Sequence, residues 1–183
     1  MINSLPALAC LVLPPALIWA SLTDLLYRRI QNRVVLGLLA LWPGAVIGAA
    51  LAAEQPTQML IGALWAMPGA VAVLVVGFAL FRLGRVGAGD VKLMAVMCLW
   101  MSAVDQLAFI IVTSLAGGLL ALLLPFIGLF ERMLALAWWR VSRALPGQHE
   151  MPQCLGDAPV PGIPYAPAIA IGALFTLFIP IYS

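Results

Sequence analysis

Charge is what this chain has least of. Nine of its 183 residues are Lys or Arg and seven are Asp or Glu, so 9% are charged, against ~25% in an ordinary soluble domain. That scarcity excludes both a water-soluble globular fold and a disordered chain. Cysteine is scarce as well. Cys10, Cys98 and Cys154 are far apart in the sequence, which excludes a disulfide framework and a four-Cys zinc site. The single histidine, His149, reads as a solvated loop residue rather than a ligand or base. No metal and no cofactor are expected, and there is no internal repeat. What the chain has in abundance is apolar surface: 64% of its residues are hydrophobic and the mean hydropathy is +1.11. The 14 Pro and 16 Gly lie among apolar runs, not in polar low-complexity tracts. The composition describes a polytopic membrane protein, with the lipid bilayer as its surroundings and no nucleic-acid partner.

The few charges divide the chain into long neutral stretches at residues 1–23, 34–53, 55–81, 106–130 and 158–183. Each reaches the ~20 apolar residues that carry a helix across ~30 Å of hydrocarbon. A sixth stretch, 93–104, has only 12 residues. It becomes a span if it starts near Ala88, since 17 residues at ~1.5 Å each give about 25 Å. The expectation is an all-α fold of six transmembrane helices. A β-barrel would show alternating ~10-residue segments, which are absent. A signal peptide at residues 1–23 would carry a basic start, whereas the first basic residue is Arg28. The first span is therefore read as retained.

All nine basic residues fall in three segments: Arg28, Arg29 and Arg33; Arg82, Arg85 and Lys92; Arg132, Arg140 and Arg143. With six spans these are the first, third and fifth loops, all on one face. The other face holds only Glu54 and Asp105. The positive-inside rule makes the basic loops cytoplasmic and both termini periplasmic. Residues 1–183 form one membrane-embedded domain. Its long fifth loop reads as an interfacial helix at about 131–145, with Arg132, Arg140 and Arg143 on one side and Leu134, Trp138, Val141 and Leu145 on the other. A Pro- and Gly-rich loop follows at 146–164. Trp138 and Trp139 read as interface anchors, and Met94, Met97 and Met101 as packing.

Acids beside membrane spans are functional candidates, because a charge in hydrocarbon costs at least ~2.5–3.5 kcal/mol. Asp24 ends the first span and Asp90 opens the fourth, so both stand at cytoplasmic helix ends at one depth. The plain structural roles are a headgroup-solvated or Arg28-paired Asp24 and an Asp90 that caps its helix. Glu131, Glu150 and Asp157 read as solvated charges of the long loop. Two carboxylates close together share a proton, one serving as base on a water and the other as acid. On helix dipoles alone, Asp90 at an N-terminus is expected ionised and Asp24 at a C-terminus neutral. Gly87 and Gly89 would admit close backbone approach. Lys92 would tune Asp90 or extend to the headgroups.

Three stretches carry a family resemblance: Asp24 with Tyr27-Arg28-Arg29-Ile30-Gln31-Asn32; Gly87-Ala88-Gly89-Asp90-Val91-Lys92-Leu93-Met94-Ala95; and Pro164-Tyr165-Ala166-Pro167. In these the chain resembles the bacterial type IV prepilin peptidases, a branch of the GxGD aspartyl intramembrane proteases. The resemblance implies an aspartyl endopeptidase of the bacterial inner membrane, with catalytic Asp24 and Asp90. Gly87, Gly89 and Lys92 would form the active-site loop. The substrate would be a prepilin, a basic leader followed by a hydrophobic helix, cut at the cytoplasmic face. Pro164, Tyr165 and Pro167 are possible substrate contacts through free backbone groups.

Two departures stand out. Gln31 occupies the place where the family usually has Pro, which would leave the turn after Asp24 less rigid. The paired cysteines of the larger, methylating members are missing, so methyltransferase activity is expected to be absent. The chain looks like the small members that serve Flp-type pili of tight-adherence systems. The rival readings are a small proton- or cation-coupled transporter and a non-catalytic pilus assembly factor.

Overall fold

A computed structural model describes residues 5–142, 151–152, 155–156 and 162–179. The described residues form six α-helices: α1 (Leu5–Tyr27), α2 (Asn32–Ala52), α3 (Pro56–Arg82), α4 (Ala88–Trp100), α5 (Asp105–Ser142) and α6 (Ala166–Phe178). They come in the expected order. Four carry stretches long and apolar enough to cross a membrane: Leu8–Tyr27, Asn32–Ala52, Pro56–Arg82 and Asp105–Leu123. α4 and α6 have 13 residues each, about 20 Å of helix. The prediction that α4 begins at Ala88 holds, but the helix ends at Trp100 rather than running on to residue 104.

The helix boundaries have local causes. α1 stops at Arg28, which takes a left-handed φ of 50° while its N–H returns to the Asp24 carbonyl at 2.9 Å. This is a one-bond αL cap of the kind glycine usually makes. α3 begins on Pro56, where a missing N–H costs nothing. It closes through Gly84 at φ 69°, with Gly84 N–H on the Phe81 carbonyl and Arg85 N–H on the Leu80 carbonyl, the two bonds of a Schellman motif. α4 ends because the next helix starts at once. The Ser102 hydroxyl donates to Asp105 at 2.6 Å and accepts the Asp105 N–H at 3.3 Å. Buried Gln106 then ties α3 to the end of α4, donating to the carbonyls of Ala66 and Cys98, both at 2.8 Å.

α3 packs along α4 and α5 along α6, while α6 lies against α1 and also meets α4. α2 and α4 exchange indole hydrogen bonds, Trp42 Nε1 to the Leu99 carbonyl at 2.6 Å and Trp100 Nε1 to the Leu38 carbonyl at 3.1 Å. Each bond satisfies a buried indole, as the apolar surroundings demand. Small residues set the spacing. A Cβ on Gly77 would come within 2.5 Å of Val91 Cγ1, so the Val91 side chain of α4 rests directly on the α3 backbone. The core cluster joins Leu13 and Leu17 of α1, Leu38 of α2, Leu93 and Met97 of α4, Phe109 of α5 and Ile169 of α6. The outer flank of α3 exposes Leu64, Trp65, Val71, Val75 and Phe78, a surface suited to hydrocarbon.

α5 differs from expectation in one respect. Its 38 residues run without a break from Asp105 to Ser142, about 57 Å, so residues 131–142 continue the fifth helix instead of starting a separate one. The buried stripe there is Glu131, Ala135 and Ser142, with Trp138 partly buried and Val141 exposed. Most of the 146–164 loop, with His149, Glu150, Cys154 and Asp157, lies outside the described residues.

Candidate active site

Asp24 sits one turn before the end of α1 and is only 6% exposed. Its neighbour Thr23 turns its hydroxyl back to the Ala20 carbonyl at 3.0 Å, leaving the aspartate as the group that faces the adjoining helix. That helix is α6. The backbone N–H of Ala166, the first residue of α6, donates to Oδ2 of Asp24 at 2.9 Å. Pro164 is fully buried and Pro167 follows at the second helical position. The two prolines hold the chain in the turn that aims this N–H.

Asp90 lies in the first turn of α4, three residues after the capping residue Gly87. Its carboxylate lies against the Gly87 backbone, and a Cβ on Gly87 would come 2.7 Å from Oδ2. The capping role considered for Asp90 thus belongs to Gly87. Gly89 does something else. A Cβ there would stand 3.0 Å from the Cβ of Ile30, so its absence lets the start of α4 close on the turn after α1. Asp24 and Asp90 are thereby brought within Coulombic range of each other. Tyr165, just before α6, comes within the same range of Asp90, and its ring fills the space over Gly117 of α5.

Lys92 is on α4 itself, not in a loop. It is exposed and donates to Oδ1 of Asn32 at 3.3 Å. Gln31 is the cap of α2 with φ −69°, the value a proline ring would impose. The turn after Asp24 therefore has proline geometry without proline.

Two residues of this neighbourhood were passed over in the sequence. Arg28 does not pair with Asp24. Its Nη2 grips both carboxylate oxygens of Glu131 at 2.8 and 3.1 Å, with side chains 11% and 6% exposed. Glu131 is not a solvated loop charge but a buried group of α5, past the apolar stretch Asp105–Leu123. Burial pushes its carboxyl above the ordinary value, against the pull of the Arg28 guanidinium. Nearby, Trp138 donates to the Tyr27 hydroxyl at 3.0 Å and meets Trp19 edge-on with centroids 6.3 Å apart. The clue in the sequence was spacing: Glu131, Ala135, Trp138 and Ser142 recur on one helical face.

Chemically, two carboxylates from distant segments stand within Coulombic range at helix ends, Asp24 held by a backbone donor from another helix and Asp90 by Gly87 of its own cap. Such a pair suits proton transfer to and from a water and a carbonyl. Among the described residues no three His, Cys, Asp or Glu side chains gather as a metal-ion cluster. The expectation of a neutral Asp24 rested on the C-terminus of α1. The structure adds the N-terminus of α6 to the same carboxylate, and a helix N-terminus favours the anion. No curated protein and no solved structure matches the chain. The model of the type IV leader peptidase family matches residues 11–122, a stretch that holds Asp24, Gly87, Gly89 and Asp90, and the chain belongs to that family.

Proposed function

We propose that this membrane peptidase is an aspartyl endopeptidase in which Asp24 and Asp90 together activate water and cleave the leader of a prepilin. The observation that carries the reading is the Ala166 N–H on Asp24 at 2.9 Å, in a carboxylate within Coulombic range of Asp90. Asp24, with a donor and the positive end of α6 against it, is the ionised base. Asp90 keeps the shared proton, because two anions within Coulombic range repel. Asp24 takes a proton from water as the water oxygen bonds to the scissile carbonyl carbon. Asp90 gives its proton to the carbonyl oxygen, forming a neutral gem-diol. The C–N bond then breaks as Asp24 returns its proton to the leaving nitrogen and Asp90 recovers one from a hydroxyl. The products are a carboxylic acid and an amine.

The site lies with Arg28, Arg29, Arg33 and Lys92 around one set of helix ends, which supports a cytoplasmic location in the inner membrane. The substrate is a prepilin of the Flp type, its apolar helix packed among the spans and its basic leader at the boundary. Six spans with periplasmic termini complete the reading, α4 and α6 being short ones that bring their N-terminal ends, and the site with them, below the membrane surface. Pro164, Tyr165 and Pro167 contact the substrate beside Asp24. Methyltransferase activity is absent. The test is co-expression with a panel of Flp-type and type IV prepilins, reading leader removal and N-terminal methylation by mass. Wild type should cleave without methylating, and Asp24→Asn and Asp90→Asn should each leave the leader on. Cleavage surviving either substitution would overturn the two-aspartate mechanism.

A further inference from the structure

The Arg28–Glu131 pair has no obvious reason to exist if stability is all it serves. Both side chains are removed from water. Nε and Nη1 of Arg28 are buried and have no hydrogen-bond partner. Desolvating two charges is costly, and an apolar pair of similar volume commonly does as well or better for stability. The backbone is unfavourable too, with Arg28 at φ 50° in a region that β-carbons disfavour. Neighbouring Arg29 and Arg33 are exposed, so the chain places one arginine of three inward and holds it there. Glu131 lies outside residues 11–122, the stretch matched by the family model.

What the pair does achieve is placement of charge. Arg28 follows α1 directly, its N–H closes the cap on the Asp24 carbonyl, and its guanidinium acts on the Asp24 carboxylate through space. Glu131 comes from α5, a different element, and fixes that guanidinium through both carboxylate oxygens. We infer that Glu131 is a positioning residue of the site: by gripping Arg28 it fixes a cation beside Asp24 and sets the end of the helix that carries it. Glu131 touches no substrate; its own anion also lies within Coulombic range of Asp24, and its grip sets where the opposing Arg28 cation stands. The inference rests on Asp24 being the catalytic base.

The test is leader cleavage kinetics in detergent micelles with a purified prepilin, alongside thermal unfolding of the same preparations. The variant is Arg28→Met/Glu131→Leu, which removes both charges and leaves neither unpaired. Thermal stability should stay at or above wild type. kcat should fall about 10- to 100-fold, the scale of a misplaced catalytic group, with KM within about threefold, as for an interaction made in the transition state. Wild-type kcat in this variant would show that the pair is not needed for chemistry and would overturn the inference. A fall in kcat that only tracks lost stability would mark a strut and overturn it as well. Should the double variant not accumulate, Glu131→Gln decides. It is isosteric but offers Arg28 one oxygen where the carboxylate offers two and carries no charge, so the grip is loosened; lowered kcat at unchanged KM and unfolding temperature supports the inference and wild-type kcat refutes it. Asp24→Asn run in parallel separates the two readings: if it cleaves, the catalytic assignment fails; if it is inactive while Glu131→Gln is not, only this inference does.

Discussion

Ala166 gives its backbone N–H to Oδ2 of Asp24 at 2.9 Å, joining the last helix to the first across 142 residues. The bond explains why two prolines flank the start of α6. They hold a helix N-terminus against a buried carboxylate, where its unpaired N–H groups and dipole both favour negative charge. It also makes a case for dividing the labour of the two acids, since among the described residues no other helix gives Asp90 a comparable donor, its backbone donor being Gly87 of its own cap.

The first prediction uses this bond. In Asp24→Asn the amide oxygen can still accept from Ala166, so the helix contact survives and the charge does not. The variant should accumulate normally and unfold within a few degrees of wild type. Its cleavage rate should drop by about 10²–10⁴, the usual contribution of a positioned acid or base. Thermal unfolding in detergent, paired with the mass assay, checks both halves. A destabilised Asp24→Asn would mean the carboxylate is a structural anchor.

Gly87 and Gly89 should separate when each is changed to Ala. A Cβ at residue 87 points at the Asp90 carboxylate, 2.7 Å from Oδ2, whereas one at residue 89 meets the Cβ of Ile30 at 3.0 Å. A carboxylate can swing aside, but a β-branched side chain fixed beside the backbone has little freedom to move. Gly87→Ala should therefore keep its stability and lose kcat. Gly89→Ala should lose both, with a stability loss of about 1–3 kcal/mol from overpacking. Equal effects in unfolding and kinetic measurements would contradict the division of roles between these glycines.

Much of this was legible in the sequence, and the exceptions have physical reasons. Gaps between charges locate helices well when charges are rare, which is why all six appear in order and α4 starts at Ala88. The same rule cut α5 short. Glu131 and Arg132 ended a neutral stretch, yet a helix needs no neutrality once a charge finds a buried partner. That partner, Arg28, is 103 residues away, and no local pattern announces it. Asp24 and Asp90 were visible because a carboxylate among apolar residues is conspicuous. The Ala166 donor was not, because it belongs to the backbone and has no letter of its own. The charge state expected for Asp24 came from its own helix end, and the opposite assignment proposed here rests on a second helix end, that of α6.

Tyr165 tests how α6 is seated. Its ring occupies the space over Gly117, where a Cβ would come 2.7 Å from Oη. Gly117→Ala should displace the ring and cost about 1–3 kcal/mol, reducing cleavage through the shifted start of α6. Tyr165→Phe keeps the ring and should unfold like wild type. If the hydroxyl contacts substrate, the Phe variant should raise KM at unchanged kcat. Unchanged kinetics in Tyr165→Phe would assign this residue to packing alone.

Gln31 offers a prediction of opposite sign. Its φ of −69° is already that of proline, and it stands at the cap of α2, where no intrahelical bond needs its N–H. Gln31→Pro should therefore fit without strain. The gain comes from the unfolded chain, which loses conformations that need not be frozen on folding, and should be about 0.4–1 kcal/mol. The turn joins Asp24 to Ile30, the residue against Gly89, so stiffening it leaves the two aspartates where they are. Cleavage should stay at the wild-type rate while the unfolding temperature rises. A loss of activity in Gln31→Pro, with the fold intact, would show that this turn has to move during the reaction.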